Sequence, residues 1–442
     1  MNFKKIVISA FAGVSMLTAF VGTAPAATEV NIYGASSQYL YWNAVAPSVL
    51  TGEGCTSIQQ ATKDANNAVT KATCGANTVI LRVSSKASYD GLESLLGNDS
   101  FASAGAANEK CSLGDPGYPG AALEGYYRKM VDETSCTTWG NPAPTANGGC
   151  SALKCVRVSL AVSDVTGGAF VQTSHGALDG PAGGAQTDRS FSYNGTPGIP
   201  TTGFTNYAPI VVPFAFYVNN AVQQDTNYPN KVYQTITNIP RIMAVLIYSG
   251  QAYNWTDFGS DFVPNLPIVA CMRHAGSGTH ATLDLAVMHG QWGGSLMTTQ
   301  SAGGPTAWFN DKSSDEMNCV SGQPGAIGYS DADQALGSYP NAVRVAYNGQ
   351  QPTRVNIRNG RYEFFTTEEA YVDPTQISPS SAIGQQITAL ISYASHPENI
   401  PTATFWGPDK TQYWASSGEM NYTKGTDFLY PTYTGASNPQ LP

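Results

Sequence analysis

The sequence predicts an α/β protein of two lobes, on three observations. Apolar runs of strand length alternate with helical patterns along most of the chain, as in parallel sheets covered by helices. The 442 residues exceed what one hydrophobic core usually organises, even with the first 26 set aside. Three strand ends also run into a short turn of glycine, alanine, serine or threonine before a helical pattern begins, which is where ligands bind in open α/β sheets.

The chain begins with Lys4 and Lys5 ahead of a short apolar run that closes at Ala24-Pro25-Ala26, so residues 1–26 read as a secretion signal cleaved near Ala26. The run is too short and too rich in small residues for a retained anchor, and the first cysteine, Cys55, is far from the cleavage pattern. A periplasmic or secreted protein without stable membrane insertion is expected.

Glu29 to Ser37 alternates as a strand that enters the turn Gly34-Ala35-Ser36-Ser37, followed by a helical pattern over 38–50. Residues 78–84 form a second strand that leads through Ser84-Ser85-Lys86-Ala87-Ser88 into a helical run over 89–96. From about 97 to 155 glycines, prolines and four cysteines show little periodicity and read as a disulfide-stapled insertion. A third strand, 156–162, ends at Ser163-Asp164-Val165-Thr166. A stretch rich in glycine, serine and threonine, 167–206, precedes the strong strand 210–218. Helical residues 240–248, a buried strand 266–272, the turn Gly276-Ser277-Gly278-Thr279 and a further helical pattern follow. Residues 323–329 give a turn and strand, 361–365 another strand, and 381–395 a helix that Pro397 helps to end.

The formal net charge of −9 becomes more negative once the signal, with two lysines and no acid, is removed. Such a chain is not a nucleic-acid binder, and it must concentrate positive charge locally to hold an anion. All eight cysteines lie after residue 26, and an even number in an exported chain reads as disulfides. Cys55 with Cys74 and Cys271 with Cys319 are expected to pair, leaving Cys111, Cys136, Cys150 and Cys155 to pair locally in an open pattern. With no CxxC pair, no CxxCH and no His-x3-His cluster, no metal or other cofactor is expected.

The chemistry concentrates at Met272 to Leu285. A helix that starts at a small-residue turn leaves backbone N–H groups unpaired, and its peptide dipoles place partial positive charge there. Arg273 adds a planar fork of donors suited to two oxygens of an oxyanion. Each turn alone is explained by an ordinary capped helix, and the spacing and lysine of a nucleotide P-loop are missing. Three such turns in one chain, with Arg273 for charge and Asp164 as an acceptor at a strand end, can surround one oxyanion. A hydrolase using Ser277 with His274 or His280 is the weaker reading, because no Gly-x-Ser-x-Gly surrounds Ser277. His175, His289 and His396 read as surface or capping residues, and no enzyme is expected.

In order along the mature chain, IYGASSQYLYW (32–42), AVSDVT (161–166), VPFAFYVNN (212–220), IYSGQAYNWTDFG (247–259), RHAGSGTHATLD (273–284) and QPGAIGY (323–329) resemble the periplasmic phosphate-binding proteins of ABC phosphate transporters. The resemblance implies the type II periplasmic-binding-protein-like fold, with a hinge and an interlobe cleft that closes on inorganic phosphate or a related oxyanion, and an ABC permease as partner. Its lobes would comprise 27–205 with 346–442, and 206–345. Carried onto this chain, it assigns Ser36, Ser37, Ser88, Asp164, Arg273, Ser277, Gly278 and Thr279 to ligand binding. Asp164 can only accept hydrogen bonds when ionised, so it would admit an oxyanion that brings a proton, as hydrogen phosphate does and sulfate does not. The chain departs from the family in three places: the aspartate two residues after the arginine is Ala275, the first turn, Tyr33-Gly34-Ala35-Ser36-Ser37, lacks the second glycine-rich step, and the interval from Ser88 to Asp164 is much longer. With the 24 tyrosines, the first and last of these departures motivate the alternative of an extracellular structural or surface-interaction protein with a repurposed binding-protein fold.

Overall fold

The computed structural model describes residues 27–98, 110–140, 148–174, 198–290, 296–298, 306–400 and 413–434. The secretion signal expected over 1–26, His175 and parts of the insertion lie outside the described residues.

The chain order is β1 (Thr28–Gly34), α1 (Tyr39–Gly52), β2 (Thr56–Asp64), β3 (Asn67–Cys74), β4 (Asn77–Ser85), α2 (Ser88–Leu96), β5 (Tyr127–Val131), β6 (Leu153–Arg157), β7 (Leu160–Ser163), β8 (Thr205–Tyr207) and β9 (Ile210–Asn219). It continues with β10 (Gln223–Asp225), β11 (Tyr233–Thr235), β12 (Asn238–Ile239), α3 (Arg241–Tyr248), β13 (Val269–Arg273), α4 (Gly278–Thr282), β14 (Thr306–Asn310), α5 (Ser313–Gly322), β15 (Ala326–Asp331) and β16 (Ala342–Tyr347). Then come α6 (Arg354–Arg358), β17 (Phe365–Thr367), β18 (Glu369–Val372), α7 (Ala382–Ala394) and β19 (Ala415–Ser416).

Two main sheets result, and both are mixed rather than parallel. The first runs β2-β3-β4-β1-β7-β18-β8, with β1 parallel to β4 and β7 and the outer pairs antiparallel. The second runs β12-β16-β9-β15-β13-β14, with β13 parallel to β14 and β15, while β9 is antiparallel to both its neighbours. Hydrophobic periodicity reports which faces are buried and is silent on strand direction. The fold is α/β with two mixed sheets.

The chain passes from the first sheet to the second between Tyr207 and Ile210, and back at Glu368, which separates β17 on β9 from β18 on β7. The short β19 returns once more to pair with β9. Glu368 is fully buried, accepts from the Trp42 indole at 2.8 Å and is held well above the usual carboxyl range by burial.

Local chemistry accounts for the elements that carry the turns. Pro47 lies inside α1 and cannot donate to the Asn43 carbonyl one turn back, and Gln60 Nε2 supplies that donor at 2.7 Å. Gly34 has φ +142°, and a Cβ there would lie 2.1 Å from the Val162 carbonyl oxygen, so the turn after β1 folds directly against β7. The apolar run 156–162 divides between two strands: β6 pairs with β5 of the insertion, whereas β7 pairs with β1. Residues 361–364 are not strand, since pairing with β9 begins at Phe365. The helix after Thr279 has one α-helical turn and continues as a π-helix, Leu283–Met288.

The four disulfides are Cys55–Cys74, Cys111–Cys155, Cys136–Cys150 and Cys271–Cys319, so the two expected pairs form and the remaining four cysteines pair within the insertion. Among the described residues no helix is long and apolar enough to cross a membrane, and no group of His, Cys, Asp or Glu could hold a metal ion.

Candidate ligand site

Residues from both sheets converge on Asp164, which follows β7 and is 2% exposed. Its Oδ1 accepts from the Ser37 hydroxyl and from Gln38 Nε2 at 3.3 Å, and its Oδ2 from the Thr279 hydroxyl at 3.5 Å. The Asp164 backbone N–H donates to Ser88 Oγ at 3.2 Å, and its carbonyl accepts from the Thr366 hydroxyl. Burial raises the Asp164 carboxyl above its ordinary range, against the pull of the Ser37 and Gln38 hydrogen bonds and the Arg273 charge.

The three turns therefore meet at one residue, Asp164. Gly278 shows how closely: a Cβ there would lie 2.4 Å from Ser88 Oγ and 2.7 Å from Asp164 Oδ2. The Tyr89 N–H also donates to the Gly276 carbonyl at 3.2 Å, joining the start of α2 to the turn after β13. The capped-helix explanation loses ground here, because none of α1, α2 and α4 has a side-chain hydrogen bond at its N-cap residue, Gln38, Ala87 or Ser277. Ser277 and Thr279 are buried, and Ser36 is half-buried.

Arg273, at the end of β13, is fully buried. Its Nη1 donates to Ser313 Oγ at 2.9 Å and its Nη2 to the Asp311 carbonyl at 3.0 Å, while Nε has no hydrogen-bond partner among the described residues. The Arg273 backbone N–H donates to the Tyr329 hydroxyl at 3.1 Å. Burial holds Tyr329 far above the usual phenol range, so it keeps its proton, and its hydroxyl shares a hydrogen bond of 2.7 Å with His280 Nδ1. Burial lowers both His274 and His280 to about 3, so neither imidazole adds positive charge at neutral pH. His274 Nδ1 accepts from the Gly276 N–H at 3.1 Å and thus serves the turn.

Several participants were not anticipated from the sequence. Asp311, after β14, pairs with Lys86 across the two sheets, Oδ2 to Nζ 3.0 Å, with both side chains buried. Burial opposes ionisation of Asp311, yet Lys86, His274 and Arg273 together hold its carboxyl below the ordinary range. Asp311 thus places beside Arg273 the negative charge that Ala275 cannot supply. The signal was present: Thr306 to Ser314 has the same order of strand, polar turn and helix as the three turns read from sequence.

A cleft of about 360 Å³ opens between the turns, lined by Ser36, Ser37 and Ser85 from the first sheet and by Lys312, Ser313 and Asp331 from the second. The predicted residues fall into three groups. Ser36 and Ser37 line the cleft, Ser88, Asp164, Gly278 and Thr279 form the contact where the sheets touch, and Arg273 and Ser277 are buried outside the cleft lining. Chemically the site offers hydroxyl donors, one guanidinium and one buried carboxylate, which suits a protonated oxyanion.

The chain is similar to a protein assigned as a phosphate ABC transporter substrate-binding protein from Clostridium perfringens, solved with bound phosphate, at 13% identity and a TM-score of 0.45, covering 84% of this chain and 95% of that one. It is also similar to an ABC-type phosphate transport receptor from Vibrio cholerae, at 19% identity and a TM-score of 0.32, covering 45% of this chain and 71% of that one. Residues 202–397 match the family model described as a PBP superfamily domain.

Proposed function

We propose that this protein is an exported substrate-binding protein that captures inorganic phosphate, or a closely related protonated oxyanion, between lobes built on its two sheets. The lobes divide where the chain crosses between sheets, near residue 208 and at Glu368. The observation that carries this reading is Asp164: a buried carboxylate that receives Ser37 and Gln38 from one sheet and Thr279 from the other, with Arg273 close enough to act on its charge. Hydroxyls of Ser36, Ser37, Ser88, Ser277 and Thr279 would donate to the oxyanion, Arg273 would neutralise it, and Asp164 would accept its proton-bearing oxygen. Gly278 contributes by having no side chain, which lets the turns close.

The chemistry favours capture over turnover, since burial holds both imidazoles near Ser277 at about 3, which makes them weak bases, and both are engaged through Nδ1 with other groups. Delivery to an ABC permease and a periplasmic or secreted location belong to the same proposal, and the disulfides support an oxidising compartment. The test is calorimetric titration of the oxidised protein with phosphate and, separately, sulfate at neutral pH, repeated on Asp164→Ala. Saturable phosphate binding with little sulfate binding, and loss of that discrimination in the variant, is the expected result. Absence of heat and of thermal stabilisation with either anion would overturn it.

A further inference from the structure

We propose that the cleft takes an organic oxyanion with a cationic group, a zwitterion of the size of an aminoalkyl phosphate ester, its oxyanion towards Arg273 and its cation at Asp331. This rests on the oxyanion reading above and names the ligand class for the same site.

Size is the first observation. The cleft measures about 360 Å³, within the range of about 300–1,000 Å³ typical of pockets for small organic ligands. A bare tetrahedral anion fills the space of only a few waters, at about 30 Å³ each. Tyr39, Leu40 and Tyr339 also line the cleft and give a short alkyl chain something apolar to lie on.

Asp331 is the second. It ends β15, lines the cleft and is 7% exposed. Its Oδ2 accepts from Gln334 Nε2 at 2.9 Å, while its buried Oδ1 has no hydrogen-bond partner among the described residues. A buried acceptor left without a donor is costly, and more so when charged, so a donor arriving there is favoured.

The third is that the lining carries both signs of charge. Lys312 lines the cleft, as does Ser313, whose Oγ accepts from the buried Arg273. Asp331 and Asp333 line it as well, and Asp333 Oδ2 already receives the Trp414 indole at 3.0 Å. Burial first, with Asp333 and Asp164 adding and Arg273 opposing, pushes the Asp331 carboxyl up to about 7. A dianion extending there would be repelled, whereas an ammonium would be stabilised.

The experiment titrates the oxidised protein with O-phosphoethanolamine, ethyl phosphate and inorganic phosphate at pH 7.5 and low salt, on wild type and Asp331→Asn. O-phosphoethanolamine is expected to bind at least tenfold more tightly than ethyl phosphate, and Asp331→Asn to bring that ratio within about threefold. Equal or weaker binding of O-phosphoethanolamine overturns the proposal, as does a preference that survives Asp331→Asn. If inorganic phosphate binds and the preference is missing, only this proposal fails. If none of the three binds, the oxyanion reading fails and takes it along.

Discussion

Lys86 Nζ lies 3.0 Å from Asp311 Oδ2 with their side chains 5% and 8% exposed, so a buried ion pair joins the turn after β4 in one sheet to the turn after β14 in the other. Removing one partner strands a buried charge, which costs about 3–5 kcal/mol, whereas removing both with apolar residues of similar volume is often neutral. Lys86→Met is expected to lower the melting temperature by several degrees, and Lys86→Met with Asp311→Leu to recover most of the loss. Differential scanning calorimetry checks this. An undiminished melting temperature in the single variant would mean that the pair contributes nothing to holding the turns together. The pH dependence has a definite sign. The folded Asp311 carboxyl sits below its unfolded value, so its contribution is present above the ordinary carboxylate range and is lost as pH falls through that range and below.

Asp331 should behave in the opposite sense. Its carboxyl moves from an ordinary 3.8 to about 7 on folding, chiefly through burial, with Asp333 and Asp164 adding to the shift and Arg273 and Gln334 opposing it. The folded state then holds the proton more tightly than the unfolded state between those values. Stability therefore falls as pH rises from about 4 to about 7, by at most about 1.4 kcal/mol per pH unit. Asp331→Asn is expected to flatten that part of the stability curve and to raise the melting temperature at pH 8. Urea unfolding at a series of pH values measures both, and an unchanged slope would show that Asp331 titrates normally.

The strands with unbroken apolar patterns were legible from sequence, as were the three turns, because each signal is local. Val30, Ile32, Val83 and Phe216 are buried wherever their strands pair. What periodicity could not show depends on pairing partners. It could not say that 156–162 serves two sheets, or that β9 runs antiparallel to its neighbours. The site divides in the same way. Asp164 and Arg273 stand beside recognisable turns, but Lys86 meets Asp311 across 225 residues, and neither residue alone differs from a solvated surface charge. Likewise Asp331 becomes unusual only when β15 delivers it, buried, to the cleft.

Cys271 and Cys319 close the longest disulfide loop, with a separation of 48 residues, and tie β13 to α5 behind Arg273 and Ser313. On chain-entropy grounds a loop of that length is worth about 4 kcal/mol. Cys271→Ala with Cys319→Ala should lose roughly that much in urea unfolding. Ligand affinity should also fall, because the bond positions the strand end that carries Arg273. Unchanged affinity in a folded double variant would separate the disulfide from the site.

Gly278 provides the most direct probe of closure. A methyl group there would sit 2.4 Å from Ser88 Oγ and 2.7 Å from the Asp164 carboxylate, so Gly278→Ala must push the turn after β13 away from α2 and β7. Overpacking of this kind costs about 1–3 kcal/mol. If the two turns meet only in the closed form, that cost is paid on closure and appears as a loss of affinity of about tenfold to a hundredfold, at about 1.4 kcal/mol per decade. The unliganded melting temperature should then change little. Phosphate titration and thermal melting of Gly278→Ala together make the distinction: a lower melting temperature with unchanged affinity would mean that the contact belongs to the resting fold and that Gly278 has no part in ligand capture.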